Sequence, residues 1–196
     1  DFADLRSERQ SEVLAQVVPQ TAQWSAIAGL DPERHRFTWE LLGVGLRFAM
    51  AVVMRFKLLL NCPRPVVYSP LIQPMILTPG YSAYPSGHAT EAYFVAELLP
   101  QLMGDPTYAH SVGKGGPFER KPEGLACQLN RFAFRVAENR VVAGLHFPVD
   151  SIAGQVLGVT LARYALARAK GDAEALIGSK FPNTAMGDGA DCKPRH

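Results

Sequence analysis

Two arginines, a lysine, a serine hydroxyl and a glycine N–H are spread over three short segments of this chain. Lys57 and Arg64 lie in "KLLLNCPRP", Ser86 and Gly87 in "AYPSGHAT", and Arg140 in "ENRVVAGLHFPVD". Together they form a donor set for a tetrahedral oxyanion. Arginine presents a planar fork to phosphate-like groups, lysine a compact charge. The same segments hold two histidines, His88 and His146, and a carboxylate, Asp150. One histidine can attack while the other gives a proton to the leaving group. Asp150 follows His146 by four residues and can hold one ring nitrogen, leaving the other free as nucleophile. Taken singly, each residue has a plainer reading. Lys57 could snorkel, Arg64 could cap a helix end, and Arg140 could form a surface pair worth ~0–1 kcal/mol. His146 could be a satisfied half-buried histidine. The joint pattern favours an oxyanion site.

These residues need elements to position them, and the pattern is mostly helical. Residues 4 to 18 are rich in helix formers and stop at Pro19. Asp31 and Pro32 read as an N-cap and first helical residue, with a long helix over 32 to 60. Residues 61 to 85 hold too many prolines for regular helix. The stretch is too apolar for disorder, so it reads as an ordered loop that shapes the site. Ser86 is a good N-cap for a helix to about Leu102, whose free N–H groups and positive end favour an anion. A loop is expected over 104 to 122, then helices over 122 to 143 and 149 to 170. In the last, Gly154, Gly158 and Ala162 form a smooth stripe for close helix contact. The expected organisation is one helical domain over 1 to 178, with a C-terminal tail over 179 to 196.

The length of 196 residues is enough for one substantial core, and 47% of the residues are hydrophobic. A formal net charge of +2, with no block of like charge, gives no field aimed at nucleic acid. The best candidate for a membrane span, residues 41 to 60, is interrupted by Arg47, Arg55 and Lys57. It reads better as a buried amphipathic helix with inward-facing cations, so a soluble protein without a membrane span is expected. Cys62, Cys127 and Cys192 have no metal-ligand spacing, and their odd number does not suggest a disulfide framework. The chain begins at Asp1, which reads as processing or excision. Periplasm or secretion is slightly favoured over cytoplasm.

In order and spacing the three segments resemble the superfamily of type 2 phosphatidic acid phosphatases, bacterial class A acid phosphatases and vanadium haloperoxidases. Its signature is K-x6-R-P, P-S-G-H and S-R-x5-H-x3-D. Here it reads Lys57–Arg64–Pro65, Pro85–Ser86–Gly87–His88 and Arg140–His146–Asp150, with Asn139 where the family has serine. A modest change in the anion pocket is expected from that departure.

The resemblance implies an all-α, single-domain bundle with its site at helix ends and loops. Lys57, Arg64, Ser86, Gly87 and Arg140 would bind phosphate or vanadate, and His88 would be the acid–base group. His146 would be the nucleophile, or the ligand of vanadium, and Asp150 would orient it. The expected activity is phosphate-ester hydrolysis through a phosphohistidine, with no cofactor and no metal cation. The alternative is a vanadate-dependent haloperoxidase acting on a halide and peroxide. A third reading is a non-catalytic anion- or partner-binding relative. The short chain, and Met54 where some haloperoxidases carry a tryptophan, favour hydrolysis. "AYPSGHAT" and the aromatic Tyr81 lean toward the peroxidases.

Overall fold

The computed structural model describes residues 2–105 and 124–171. Among them the fold is all-α, as expected, with no strand. A 3-10 turn at Phe2–Leu5 leads into α1 (Arg6–Ala15), followed by α2 (Thr21–Ala28) and the long α3 (Arg36–Leu60). A short α4 (Pro65–Tyr68) and a 3-10 turn (Pro70–Ile72) interrupt the proline-rich loop. The helices α5 (Gly87–Leu102), α6 (Gly124–Val142) and α7 (Pro148–Lys170) complete the bundle.

Helix α5 is the axis. From Ala92 to Pro100 every side chain is buried, as in a helix enclosed on all sides. Helices α7, α6 and α3 pack around it. The main core gathers Trp24, Leu42, Phe94, Leu98, Leu99 and Leu129. The small-residue stripe on α7 faces α5. A Cβ on Gly154 would lie 2.6 Å from the Ser86 carbonyl oxygen, and one on Gly158 would overlap the Thr90 carbonyl oxygen. The two backbones are in van der Waals contact only because these positions lack a side chain.

Several expectations need correction. The long helix starts at Arg36, not residue 32, because Asp31 caps a separate turn. Its Oδ1 accepts the N–H groups of Glu33 and Arg34, and its own N–H donates to His35 Nδ1. The first helix is shorter than 4 to 18, running from Arg6 to Ala15. Of the three cations in residues 41 to 60, only Lys57 faces inward; Arg47 and Arg55 are exposed. No helix among the described residues is long and apolar enough to cross a membrane. Cys62 is a free thiol but Cys127 is disulfide-bonded, which the odd cysteine count had not led one to expect. Most of the expected 104–122 loop and all of the tail from Ser179 fall outside the described residues.

Gly158→Ala should destabilise the bundle, because the obstructing atoms are backbone and cannot rotate away. Overpacking of this kind costs about 1–3 kcal/mol, which lowers the melting temperature by roughly 2–4 °C per kcal/mol in a chain of this size. A calorimetric scan showing an unchanged midpoint would refute the close α5–α7 contact.

Candidate active site

The sequence-predicted residues converge where the N-termini of α5 and α7 meet the C-terminal end of α3. Ser86 joins the two N-termini, its N–H donating to the Asp150 carbonyl at 2.9 Å. Ser86 is the N-cap of α5, as read from the sequence, and its Oγ accepts the Ala89 N–H. Its hydroxyl proton remains available to an acceptor. Gly87 is the first residue of the helix, so its N–H has no intrahelical partner.

Three cations are buried around this junction, and none forms an ion pair among the described residues. They rest on carbonyl oxygens instead. Lys57 Nζ donates to Ser82 O at 2.7 Å and Ala83 O at 3.0 Å. Arg64 donates to the carbonyls of Tyr81, Leu145 and Ser82. Arg140 donates through Nη2 to Val13 O and Gln16 Oε1, while its Nε and Nη1 are buried without an acceptor. Burial pushes Lys57 down to about 8, with Arg64 adding to the effect, and pushes Arg140 down to about 10. Buried donors left unpartnered on a cation are costly. An oxyanion beside them would remove that cost.

The hydrogen bonds of His146 determine its tautomer. Asp150 Oδ2 lies 3.1 Å from Nδ1, and Arg64 Nη1 lies 3.3 Å from Nε2. A carboxylate can only accept and a guanidinium can only donate, so the proton sits on Nδ1 and the lone pair on Nε2. Asp150 Oδ2 also accepts the Phe147 N–H at 2.9 Å, which fixes the carboxylate at the start of α7. Burial lowers His146 to about 4 despite the pull of Asp150, and the charges of Arg64 and Lys57 push the same way. His88 Nε2 is 3.0 Å from the Gln16 carbonyl, so Nε2 carries a proton and Nδ1 is left for exchange. Burial, then the charge of Arg140, lowers His88 to about 4.

Lys57, Arg64, Gly87, His88 and His146 line one pocket of about 60 Å³. That is room for roughly four or five water-sized atoms, the size of a tetrahedral oxyanion. Ser86 and Asp150 are buried next to the lining residues Gly87 and His146, and Arg140 is fully buried as well. Tyr81 covers the cationic side, its ring centroid 5.3 Å from Lys57 Nζ and 5.4 Å from the Arg64 guanidinium. Met50, not Met54, forms part of the wall. Asn139 does not line the pocket. Its amide donates to Glu12 and Gln16 on the α1 side and accepts from Arg9. No group of three or more histidines, cysteines or carboxylates suited to a metal ion occurs among the described residues.

Two contributors escaped the sequence reading. One is the end of α1, whose Val13 and Gln16 hold Arg140 and His88. Its signal was a buried polar face, Arg9, Val13 and Gln16 at helical spacing. The other is Glu91, one turn beyond His88, which lines the pocket.

The helical bundle thus brings buried cations and an aspartate-held histidine to one pocket. The chain belongs to the PAP2 superfamily, whose family model matches residues 39–171. It is 33% identical over 94 residues to the vanadium-dependent bromoperoxidase of Ascophyllum nodosum, covering 43% of this chain and 17% of that one. It is 28% identical over 128 residues to the decaprenylphosphoryl-5-phosphoribose phosphatase of Mycobacterium tuberculosis, covering 65% of this chain and 59% of that one. The chain thus spans less than two thirds of either relative. The crystal structure of Aquifex aeolicus LpxE is similar with a TM-score of 0.49 at 19% identity, covering 78% of this chain and 86% of that one.

Oxyanion binding should take up protons. A dianion beside His88 raises its pKa from about 4 toward and beyond the ordinary 6.5. Because the bound state then holds more protons, affinity rises as pH falls from 6.5 toward 4 and levels off below. Sulfate stays doubly charged across this range and is the suitable probe for calorimetry. Affinity that is flat or climbs with pH would count against the arrangement. Arg64→Ala and Arg140→Ala should each weaken sulfate binding by about 2 kcal/mol or more.

Proposed function

We propose that this protein hydrolyses phosphate esters through a phosphohistidine on His146. The observation that supports this most is the pairing of an Nε2 lone pair, set by Asp150, with buried arginine donors that lack an acceptor. The ester phosphate enters with its non-bridging oxygens toward Lys57, Arg64, Arg140, the Ser86 hydroxyl and the Gly87 N–H. Arg64 then exchanges its contact with His146 Nε2 for one with the phosphate. Nε2 attacks phosphorus, the ester P–O bond breaks, and the leaving oxygen takes a proton from His88. The developing charge on the equatorial oxygens meets donors already in place. In the second half, water attacks the phosphohistidine and gives a proton to His88. Phosphate leaves, and His146 recovers its lone pair. No step calls for a metal or an organic cofactor.

The second reading rests on the likeness to a vanadium-dependent bromoperoxidase. The buried, acceptorless Nε and Nη1 of Arg140 suit vanadate as well as phosphate, both being tetrahedral oxyanions. Lys57, Arg64, Ser86, Gly87 and Arg140 would hold it, with His146 Nε2 as the protein ligand. Bound vanadate would supply activation of hydrogen peroxide for halide oxidation. Paired assays separate the two readings: p-nitrophenyl phosphate without vanadate, and halide oxidation with vanadate and peroxide. The third reading, a non-catalytic anion-binding relative, would require both assays to stay silent while sulfate binds.

The two histidines should separate by leaving group. A proton donor matters most when the leaving oxygen is basic. His88→Ala should therefore lose far more activity toward an alkyl phosphate than toward p-nitrophenyl phosphate, and it should still form a trapped phosphoenzyme from the activated ester. His146→Ala should trap none from either. Rapid quench with labelled substrate reads both outcomes. Equal losses in the His88 variant, or a phosphoenzyme in the His146 variant, would overturn the assignment.

A further inference from the structure

Among the residues lining the pocket, Glu91 is the only carboxylate. It lies on α5 one turn beyond His88, half-buried, with no hydrogen bond or ion pair among the described residues. The same lining includes the apolar Met50, Pro79 and Leu145. Burial alone pushes Glu91 up to about 7, and none of the pocket's cations offsets that rise. Glu91 and His88 are i,i+3 neighbours on α5 and line the same pocket. In the reading above His88 gives its proton to the leaving oxygen, so its neighbour Glu91 stands on the leaving-group side. A half-buried carboxyl there, bordered by apolar atoms, lacks a hydrogen-bond donor.

We propose that Glu91 selects the leaving group: it binds a hydroxyl or ammonium on the second carbon from the ester oxygen, so that the preferred substrates are phosphate monoesters of polar, donor-bearing alcohols. This rests on the hydrolase reading above and adds a substrate class to it. The carboxyl accepts a hydrogen bond from a hydroxyl, and in its ionised form it pairs with an ammonium. A plain alkyl group meets the same carboxyl and leaves it without a partner, the situation in which polar sites discriminate best.

The test uses three esters of nearly equal size and leaving-group class: ethyl, hydroxyethyl and aminoethyl phosphate. In the wild type, kcat/KM for the two donor-bearing esters should exceed that for ethyl phosphate by about 10-fold or more, as expected for a hydrogen bond to a charged group. In Glu91→Ala both ratios should collapse toward one. In Glu91→Gln the hydroxyethyl preference should persist and the aminoethyl preference should fall to about the same level, since an amide accepts a hydrogen bond from either group but carries no charge. A merely structural role would lower all three rates together and leave the ratios intact, and that result would overturn the proposal. So would wild-type ratios near one. If the wild type turns over none of the esters, the hydrolase reading fails by itself. The same three compounds are then compared as ligands by calorimetry: the same preference, and its loss in Glu91→Ala, would uphold the role of Glu91, whereas equal or absent binding would end it.

Discussion

Three cationic side chains held out of water without an acidic partner constrain the site more than any other feature. Unpaired charges are among the most costly groups to bury. The fold meets this cost with backbone carbonyls, and each set of carbonyls comes from a segment that must then stay in place. Lys57 fastens residues 82 and 83 to α3. Arg64 ties Tyr81 and Ser82 to Leu145, joining the proline-rich loop to the turn before α7. Arg140 draws in the end of α1. The charges that suit an oxyanion therefore also order the loop and the terminal helix. A bound anion would stabilise the whole assembly by mass action.

Geometry at the junction depends on the small-residue stripe. Gly154 lies under the Ser86 carbonyl and Gly158 under Thr90, so α7 approaches α5 at backbone distance. That approach brings two helix N-termini to one point, with the Ser86 N–H on the Asp150 carbonyl as the link. Each N-terminus adds unpartnered N–H groups and a partial positive charge. The α7 end holds the Asp150 carboxylate, and the α5 end is left facing the pocket. One helix terminus thus anchors the residue that orients His146, while the other is free for a ligand.

How much of this was legible in the sequence follows from the range of each interaction. Ser86 as N-cap, His146 with Asp150 four residues later and the glycine stripe are local patterns, and the structure places them as read. The direction in which the α3 cations point was not legible. Lys57 faces inward while Arg47 and Arg55 face solvent, because only Lys57 meets the loop carbonyls. The partners of Asn139 were not legible either. Its amide meets Glu12 and shares the Gln16 Oε1 acceptor with its sequence neighbour Arg140. Those partners are separated from it by more than a hundred positions, and no periodicity reports such a pairing. The family match begins at residue 39, so α1, which supplies Val13 and Gln16, lies outside it.

Under the proposed reading the cradle suits either tetrahedral oxyanion, so the choice between the two chemistries falls on the walls of the pocket. Halide oxidation requires a small anion to approach the far side of the bound oxyanion. Hydrolysis requires a leaving group to fit there, neutral or cationic. Under the proposed reading, Glu91 stands on that side, and Met50 occupies the α3 wall. Above about 7, where Glu91 ionises, a carboxylate in a half-buried setting repels an approaching halide. It attracts a hydroxyl or ammonium on an alcohol leaving group. Below that pH the neutral carboxyl still offers a polar contact that a halide can use only as an acceptor. Under that reading, the carboxylate in the lining opposes the approach of a halide only where Glu91 is ionised.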